Sequence, residues 1–99
     1  MKIFLDTANI EQIKEAVEFG VIDGATTNPS LIAKENKGFM PLIKEILAEV
    51  PGPVSVEVTA TEADEMIEQA QEYAKLSDNV VIKVPINLEG LKVVKRLTD

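Results

Sequence analysis

The sequence contains no cysteine and no histidine. The absence of cysteine excludes disulfides and thiolate metal sites, and it permits an intracellular compartment. The absence of histidine removes the most common general base and metal ligand. Any metal or acid–base site in this chain must therefore be built without these two residue types.

Basic residues are also scarce, since nine lysines and a single arginine, Arg96, stand against 17 acidic residues, giving a net charge of −7. This balance argues against a nucleic-acid partner, whose phosphates require a basic surface. No apolar run approaches the length of a membrane span, and the N-terminal residues lack the apolar region of a signal peptide, so we expect no membrane partner. The 99 residues are few enough for at most one domain, here residues 1–99.

The segment 78–85, with the sequence DNVVIKVP, is the most informative part of the chain. Its alternation predicts a strand with three hydrophobic residues on one face and Lys83 on the other. Pro85 has no backbone N–H, so the strand should end there and leave Lys83 at its carboxyl end, where parallel α/β proteins place their chemistry. Desolvation favours the neutral form of a lysine, and the free amine is a nucleophile toward carbonyls. Alternatively, the stem of Lys83 is buried and its ammonium group reaches water.

Strands and helices alternate along the whole chain. Strands are predicted at 2–6, 21–27, 54–58 and 78–85, and helices at 9–20, 28–35, 39–50, 61–74 and 88–97. Asn28 and Pro29 suit a helix start, Thr61 is predicted to cap the fourth helix, and Ala74 is predicted to face inward on it. Four βα units in succession predict an α/β fold with a parallel sheet.

Three predicted strands carry an ionisable residue near the carboxyl end, on the face opposite the one that packs against helices: Asp6, Glu57 and Lys83. In a closing barrel this face points inward, so the three side chains would converge at the mouth. A lysine that forms a Schiff base needs nearby acids to move protons. The alternative is that each residue lies on a separate solvent-exposed edge.

Four motifs closely resemble the transaldolase family, in its small-subunit branch that also contains the fructose-6-phosphate aldolases. They are FLDTAN at 4–9, TTNPSL at 26–31, VEV at 56–58, and IKVP at 82–85 followed by Glu89-Gly90. By this resemblance Lys83 is the Schiff-base lysine, Asp6 the acid of carbon–carbon cleavage, and Glu57 an acid that works through a catalytic water. Fructose-6-phosphate aldolases typically carry glutamine where Glu57 stands, so the glutamate favours transaldolase.

The resemblance also suggests substrate contacts. Asn28 is similar to the family's substrate-binding asparagine, although its position as a helix N-cap explains it equally well. Thr26 and Ser30 are weaker candidates for substrate binding, because turn chemistry accounts for both.

The family resemblance implies a (β/α)₈ TIM barrel, which takes about 250 residues. Four βα units are half of one, so we expect the N-terminal half of a transaldolase, a truncated form with weak or no activity alone. The implied reaction moves a dihydroxyacetone unit between sugar phosphates in the pentose phosphate pathway, in the cytoplasm, without cofactor or metal. Fructose-6-phosphate aldolase activity and a non-catalytic half-barrel that serves as an assembly or binding module are the alternatives.

A half-barrel would have two open sheet edges and an uncovered inner face. We therefore expect self-association into a homo-oligomer. The expected form is a dimer in which the fourth strand of each copy pairs with the first strand of the other. An assembly with exchanged helices or a different helix–sheet packing is the alternative.

Overall fold

A computed structural model describes residues 1–99 and contains one parallel sheet whose strand order follows the chain. The strands are β1 (Phe4–Asp6), β2 (Gly24–Thr26), β3 (Val54–Glu57) and β4 (Val80–Lys83), and the helices are α1 (Ile10–Glu18), α2 (Pro29–Ala33), α3 (Phe39–Glu49), α4 (Ala63–Ala74) and α5 (Leu88–Thr98). Neighbouring strands pair in order from β1 to β4, all parallel. The predicted α/β fold with a four-stranded parallel sheet is confirmed, and it is consistent with half of a TIM barrel.

The strands are shorter than predicted. The second strand, predicted at 21–27, spans Gly24–Thr26, although the Asp23 N–H still donates to the Ile3 carbonyl at 2.8 Å. Before it, the Asp23 carboxylate accepts a hydrogen bond from the Ile3 N–H at 2.6 Å. No helix has both the length and the apolar composition needed to cross a membrane.

Asparagines begin three of the helices. Asn9, Asn28 and Asn87 each accept, at Oδ1, the backbone N–H three residues ahead, at 2.9, 2.9 and 2.8 Å. These bonds satisfy N–H groups that lack a partner in the first helical turn. The predicted start of α2, with Asn28 as cap and Pro29 next to it, is confirmed.

The predicted start and inner face of α4 need correction. Its N-cap is Glu62 and not Thr61, and the Glu62 side chain makes no hydrogen bond to the first turn of the helix. The buried face contains Ala63, Met66, Ala70 and Tyr73, whereas Ala74 is exposed. Ala74 lies about 100° further around the helix than Tyr73, which is enough to turn it away from the sheet. The larger tyrosine takes the inner position and stacks at a tilt on Phe39, with ring centroids 5.3 Å apart.

The hydrophobic core lies between the sheet and the inner faces of the helices, with α5 contributing Val93. Its largest fully buried side chains are Ile13, Leu42, Ile43, Ile46, Val54, Val56, Met66 and Val93. The alternation of β3 is the reason for this layout, because Val54 and Val56 are buried while Ser55 and Glu57 are only half-buried. The helices therefore cover one face of the sheet.

The last helix packs much less completely. On α5 only Gly90 and Val93 are buried, whereas the apolar side chains of Leu88, Leu91, Val94 and Leu97 are between 72% and 39% exposed. The face of α5 turned toward α4 is packed, and no strand lies beyond β4 to cover the rest. On the helix-free face of the sheet, Phe4 and Val81 are 46% and 48% exposed.

Candidate active site

Glu57 and Lys83 end neighbouring strands and face each other. They are direct Cα partners in the parallel register of β3 and β4. The Lys83 Nζ lies 3.5 Å from Glu57 Oε1, and the two side chains are 46% and 27% exposed. This ion pair stands at the carboxyl end of the sheet, on the face that no helix covers.

Backbone geometry fixes this pair. Val54 and Val56 pack toward the helices, so the residue that follows them, Glu57, must project to the opposite face. The Lys83 carbonyl accepts the Val58 N–H at 3.1 Å, which keeps the two strands in register beyond the ion pair. Lys83 is nearly half exposed, so the alternative expectation, an ammonium group that reaches water, describes it better than deep burial.

Asp6 and Thr26 form a second pair on the same face. They are register partners on β1 and β2, and the Thr26 hydroxyl donates to Asp6 Oδ1 at 2.8 Å. Thr26 therefore orients the Asp6 carboxylate directly. Sequence reasoning had offered turn chemistry as an alternative explanation for Thr26, and the structure places it in a strand instead.

The two pairs do not meet within one chain. Thr26 is aligned with Ser55, which comes two residues before Glu57. The Asp6–Thr26 pair therefore lies two residues further from the carboxyl edge of the sheet than the Glu57–Lys83 pair. Asp6 and Lys83 are on the two outer strands, which are roughly 14 Å apart at a strand spacing of about 4.8 Å. The structure thus brings Glu57 to Lys83 and Thr26 to Asp6, but leaves Asp6 three strands from Lys83.

The remaining predicted residues lie just beyond β2. Asn28 is half-buried, and its Oδ1 is used by the cap of α2, which leaves the amide nitrogen as its remaining polar group. Ser30 is exposed in the first turn of α2. Both residues are at the carboxyl edge of the sheet, as Glu57 and Lys83 are.

Ser55 supports this edge and was not singled out from the sequence. Its Oγ accepts the Thr27 N–H at 3.2 Å, and its carbonyl accepts the Thr27 hydroxyl at 2.7 Å. Thr27 is completely buried, so these bonds satisfy its polar groups and hold the end of β2 to β3. The strict alternation around Ser55 predicted its face but not this partner.

Glu89 ties the helix after β4 to the helix before it. Its Oε1 accepts the Ala63 N–H at 3.1 Å, and its Oε2 lies 2.7 Å from Lys92 Nζ. The hydrogen bond from Lys92, followed by that from Ala63, lowers the pKa of Glu89 below its usual value. Glu89 thereby supplies the partner that the N-terminus of α4 lacks.

Position 90 is occupied by glycine for a steric reason. A Cβ at this position would lie 1.9 Å from the carbonyl oxygen of Pro85. The absence of a side chain lets α5 approach the backbone two residues after Lys83. Glu89-Gly90 is therefore explained by the packing of α5 near the end of β4.

Chemically, the site offers an amine next to one carboxylate and, further along the sheet, a carboxylate bonded to a hydroxyl. Such groups can attack a carbonyl and move protons. No cluster of three or more acidic residues is placed to hold a metal ion.

Comparison with known proteins identifies the family. Residues 3–99 match the family model described as Transaldolase/Fructose-6-phosphate aldolase. The chain belongs to this family. The predicted resemblance is confirmed, and it covers nearly the whole sequence.

Individual relatives of the transaldolase family agree. The chain is 59% identical over 99 residues to "Probable transaldolase 1" of Bacillus cereus and 54% identical over 99 residues to "Probable transaldolase" of Anaeromyxobacter dehalogenans. It is 51% identical over 98 residues to "Probable transaldolase" of Symbiobacterium thermophilum. In each case essentially the whole chain is matched, yet it spans only 45–46% of the relative's length.

Proposed function

We propose that this chain carries the Schiff-base half of a transaldolase site, with Lys83 as nucleophile. The reaction would transfer a dihydroxyacetone unit from a ketose phosphate to an aldose phosphate. The observation that carries the proposal is the pairing of Lys83 with Glu57 at the carboxyl end of the sheet, in a chain of the transaldolase family.

The proposed reaction begins when the neutral Lys83 amine attacks the C2 carbonyl of the ketose phosphate. Loss of water from the carbinolamine leaves an iminium ion. The C3–C4 bond then breaks, and its electron pair forms the C2=C3 bond of an enamine as the C2=N pair moves to nitrogen. The C4 hydroxyl proton passes to a carboxylate as the aldose leaves. The enamine on Lys83 adds to the aldehyde of the acceptor, the proton returns to the new hydroxyl, and water releases the product ketose.

Glu57 is assigned to the carbinolamine steps. Its carboxylate is 3.5 Å from the Lys83 nitrogen, so a water next to both groups could carry a proton to the departing hydroxyl. Asp6 is assigned to the C4 hydroxyl, with Thr26 orienting its carboxylate at 2.8 Å. Asn28 and Ser30 are assigned to substrate hydroxyls at the same edge. In this assignment the amine, acids and water suffice, without metal or cofactor.

Closure of the sheet is part of this proposal. In the open sheet Asp6 is too far from Lys83 to share one substrate, whereas in a closed barrel both would face the interior. We therefore expect weak or no turnover from a single 99-residue copy, and activity only from a self-associated, closed form.

A second candidate function is that of a non-catalytic assembly module. It is favoured by the position of the only arginine, Arg96, which pairs with Asp64 on α4 and not with the carboxyl edge of the sheet. A sugar phosphate would gain no bidentate guanidinium contact from it. A third candidate function is fructose-6-phosphate aldolase activity, and the presence of Glu57 argues against it.

Borohydride trapping tests the assignment of Lys83. The 99-residue chain is incubated with fructose 6-phosphate, reduced, digested and analysed by mass spectrometry. We expect a small amount of reduced adduct on Lys83 and none after Lys83→Arg, while the Lys75→Arg control retains it. Adducts on Lys2, Lys75 or Lys92 would refute the assignment.

Turnover distinguishes the candidate functions. The chain is supplied with fructose 6-phosphate, with and without erythrose 4-phosphate, and the release of free aldose is compared with transfer. Transfer that requires the acceptor supports transaldolase, whereas acceptor-independent cleavage supports aldolase. The absence of both turnover and trapping at every protein concentration would support the assembly module.

A further inference from the structure

The last residue of β3 is held by few backbone bonds. Glu57 ends this strand, and the pairing of β2 with β3 stops two residues earlier, at Thr26 and Ser55. Beyond Glu57 the ladder to β4 continues with one bond, from the Val58 N–H to the Lys83 carbonyl at 3.1 Å. The ion pair of Glu57 with Lys83 is partly exposed, and such pairs add little to stability. Strand ends held this weakly fray, so the position of Glu57 depends on what holds the residues after it.

Gln69 of α4 makes three hydrogen bonds to these following residues. Its Oε1 accepts the N–H groups of Thr59 and Ala60 at 2.9 and 3.0 Å, and its Nε2 donates to the Thr59 hydroxyl at 2.9 Å. Both N–H groups lie beyond the ladder, so the side-chain oxygen takes the place that a strand carbonyl would otherwise fill. A single half-buried side chain thus holds two consecutive residues directly after the end of β3.

The same loop is also held by the neighbouring elements. Its first residue, Val58, bonds to β4, and Glu89 of α5 accepts the N–H of Ala63 at its other end. Glu89 therefore fixes the start of α4, whereas Gln69 fixes the residues at which the chain leaves β3. Of the two side chains, Gln69 is the one whose contacts adjoin the site.

We propose that Gln69 is a positioning residue of the site. By holding Thr59 and Ala60 it prevents the end of β3 from fraying, and it thereby keeps the Glu57 carboxylate next to Lys83. Gln69 acts through the backbone and touches no substrate group. The inference rests on the proposed function only in taking Glu57 as an acid of the Schiff-base steps, since the hold on the strand end requires no catalysis.

Two substitutions of similar size separate the hydrogen bonds from the rest of the side chain. Gln69→Met keeps the length and the helix propensity but removes all three bonds. Gln69→Glu keeps an oxygen acceptor for both N–H groups, and the Thr59 hydroxyl can rotate to donate to the carboxylate. The variants are compared in about 0.2 M salt, which screens the new charge from Glu65 and Glu72 on the same helix.

Amide hydrogen exchange of the chain without substrate, measured by NMR, tests the hold on the strand. In Gln69→Met the N–H groups of Thr59 and Ala60 should exchange about tenfold faster, because each loses its acceptor. The Val58 N–H should exchange about threefold faster or more as the strand end frays, whereas the buried Ile46 of α3 should change less. Gln69→Glu should restore rates near those of the wild type. An unchanged rate at Val58, or equal acceleration at Val58 and Ile46, would overturn the proposal.

Borohydride trapping with fructose 6-phosphate tests the consequence for Lys83. In Gln69→Met the maximal rate of adduct formation should fall about tenfold, because the acid is misplaced, while the half-saturating substrate concentration stays unchanged. Gln69→Glu should recover most of the rate. Faster exchange at Val58 together with wild-type trapping would show that Gln69 does not position Glu57, and the proposal would fail. A wild-type chain that forms no adduct on Lys83 would refute the proposed function instead, and the exchange rates would still decide whether Gln69 holds the strand end.

Discussion

Glu57 and Lys83 are direct register partners on β3 and β4, and their charged atoms are 3.5 Å apart. Lysine acts as a nucleophile only as the neutral amine, so the ion pair must give up a proton before attack. Under the proposed function the Glu57 carboxylate would return protons to the carbinolamine, and the strand register is what places it next to Lys83.

Replacing Glu57 by glutamine should separate the two activities of the family. In the closed assembly, Glu57→Gln should lower transaldolase turnover by about 10²–10⁴-fold, as is typical when one acid–base group is lost. Aldolase-type cleavage should fall less. The measurement is the ratio of transfer to cleavage in one preparation, and an unchanged ratio would mean that Glu57 is structural.

Acid should destabilise the fold partly through Glu89. Its pKa is lower in the folded chain than the ordinary value of 4.5, so its contribution to the free energy of unfolding is present above that value and is lost as the pH falls through the folded pKa. Glu89→Gln should therefore flatten the decline of the melting temperature below pH 4.5. Glu68→Gln, at an exposed position in the middle of α4, is the matched control and should follow the wild type.

Alanine at position 90 should destabilise the chain although it favours helices. Helix propensity alone would stabilise Gly90→Ala by about 0.8–1 kcal/mol, but overpacking against a rigid neighbour costs about 1–3 kcal/mol. The neighbour is the Pro85 carbonyl, only 1.9 Å from the added Cβ, so we expect a net loss of stability in urea unfolding. Gly38→Ala, whose added Cβ would meet only the side chain of Pro41 at 3.3 Å, should lose less stability. Equal effects at both positions would contradict this explanation.

Local signals predicted the elements well. Asn28 and Pro29 identified the start of α2, and the alternation from Val54 identified β3, because capping and side-chain alternation act within a few residues. The prediction that Thr61 caps α4 was wrong, because the contact that satisfies the start of this helix comes from a residue distant in the chain. The N-terminus of α4 is satisfied by Glu89, 26 residues further along the chain from Ala63, which no local pattern reveals.

Side-chain alternation predicted the face of the candidate residues but not the distances between them. Parity alone placed Asp6, Glu57 and Lys83 on one face of the sheet. This alternation could not predict the strand register. The register pairs Glu57 with Lys83, and it places Asp6 three strands from Lys83 and two residues further from the carboxyl edge. Alternation carries no information on how far one strand is shifted along another.

The sheet order, with β1 and β4 at its edges, has a consequence for evolution. Strands that follow one another in the chain are also neighbours in space, so no strand needs to be inserted between existing ones when the sheet grows. Tandem duplication of the coding sequence would add four strands in the correct order and place the second β1 next to the first β4.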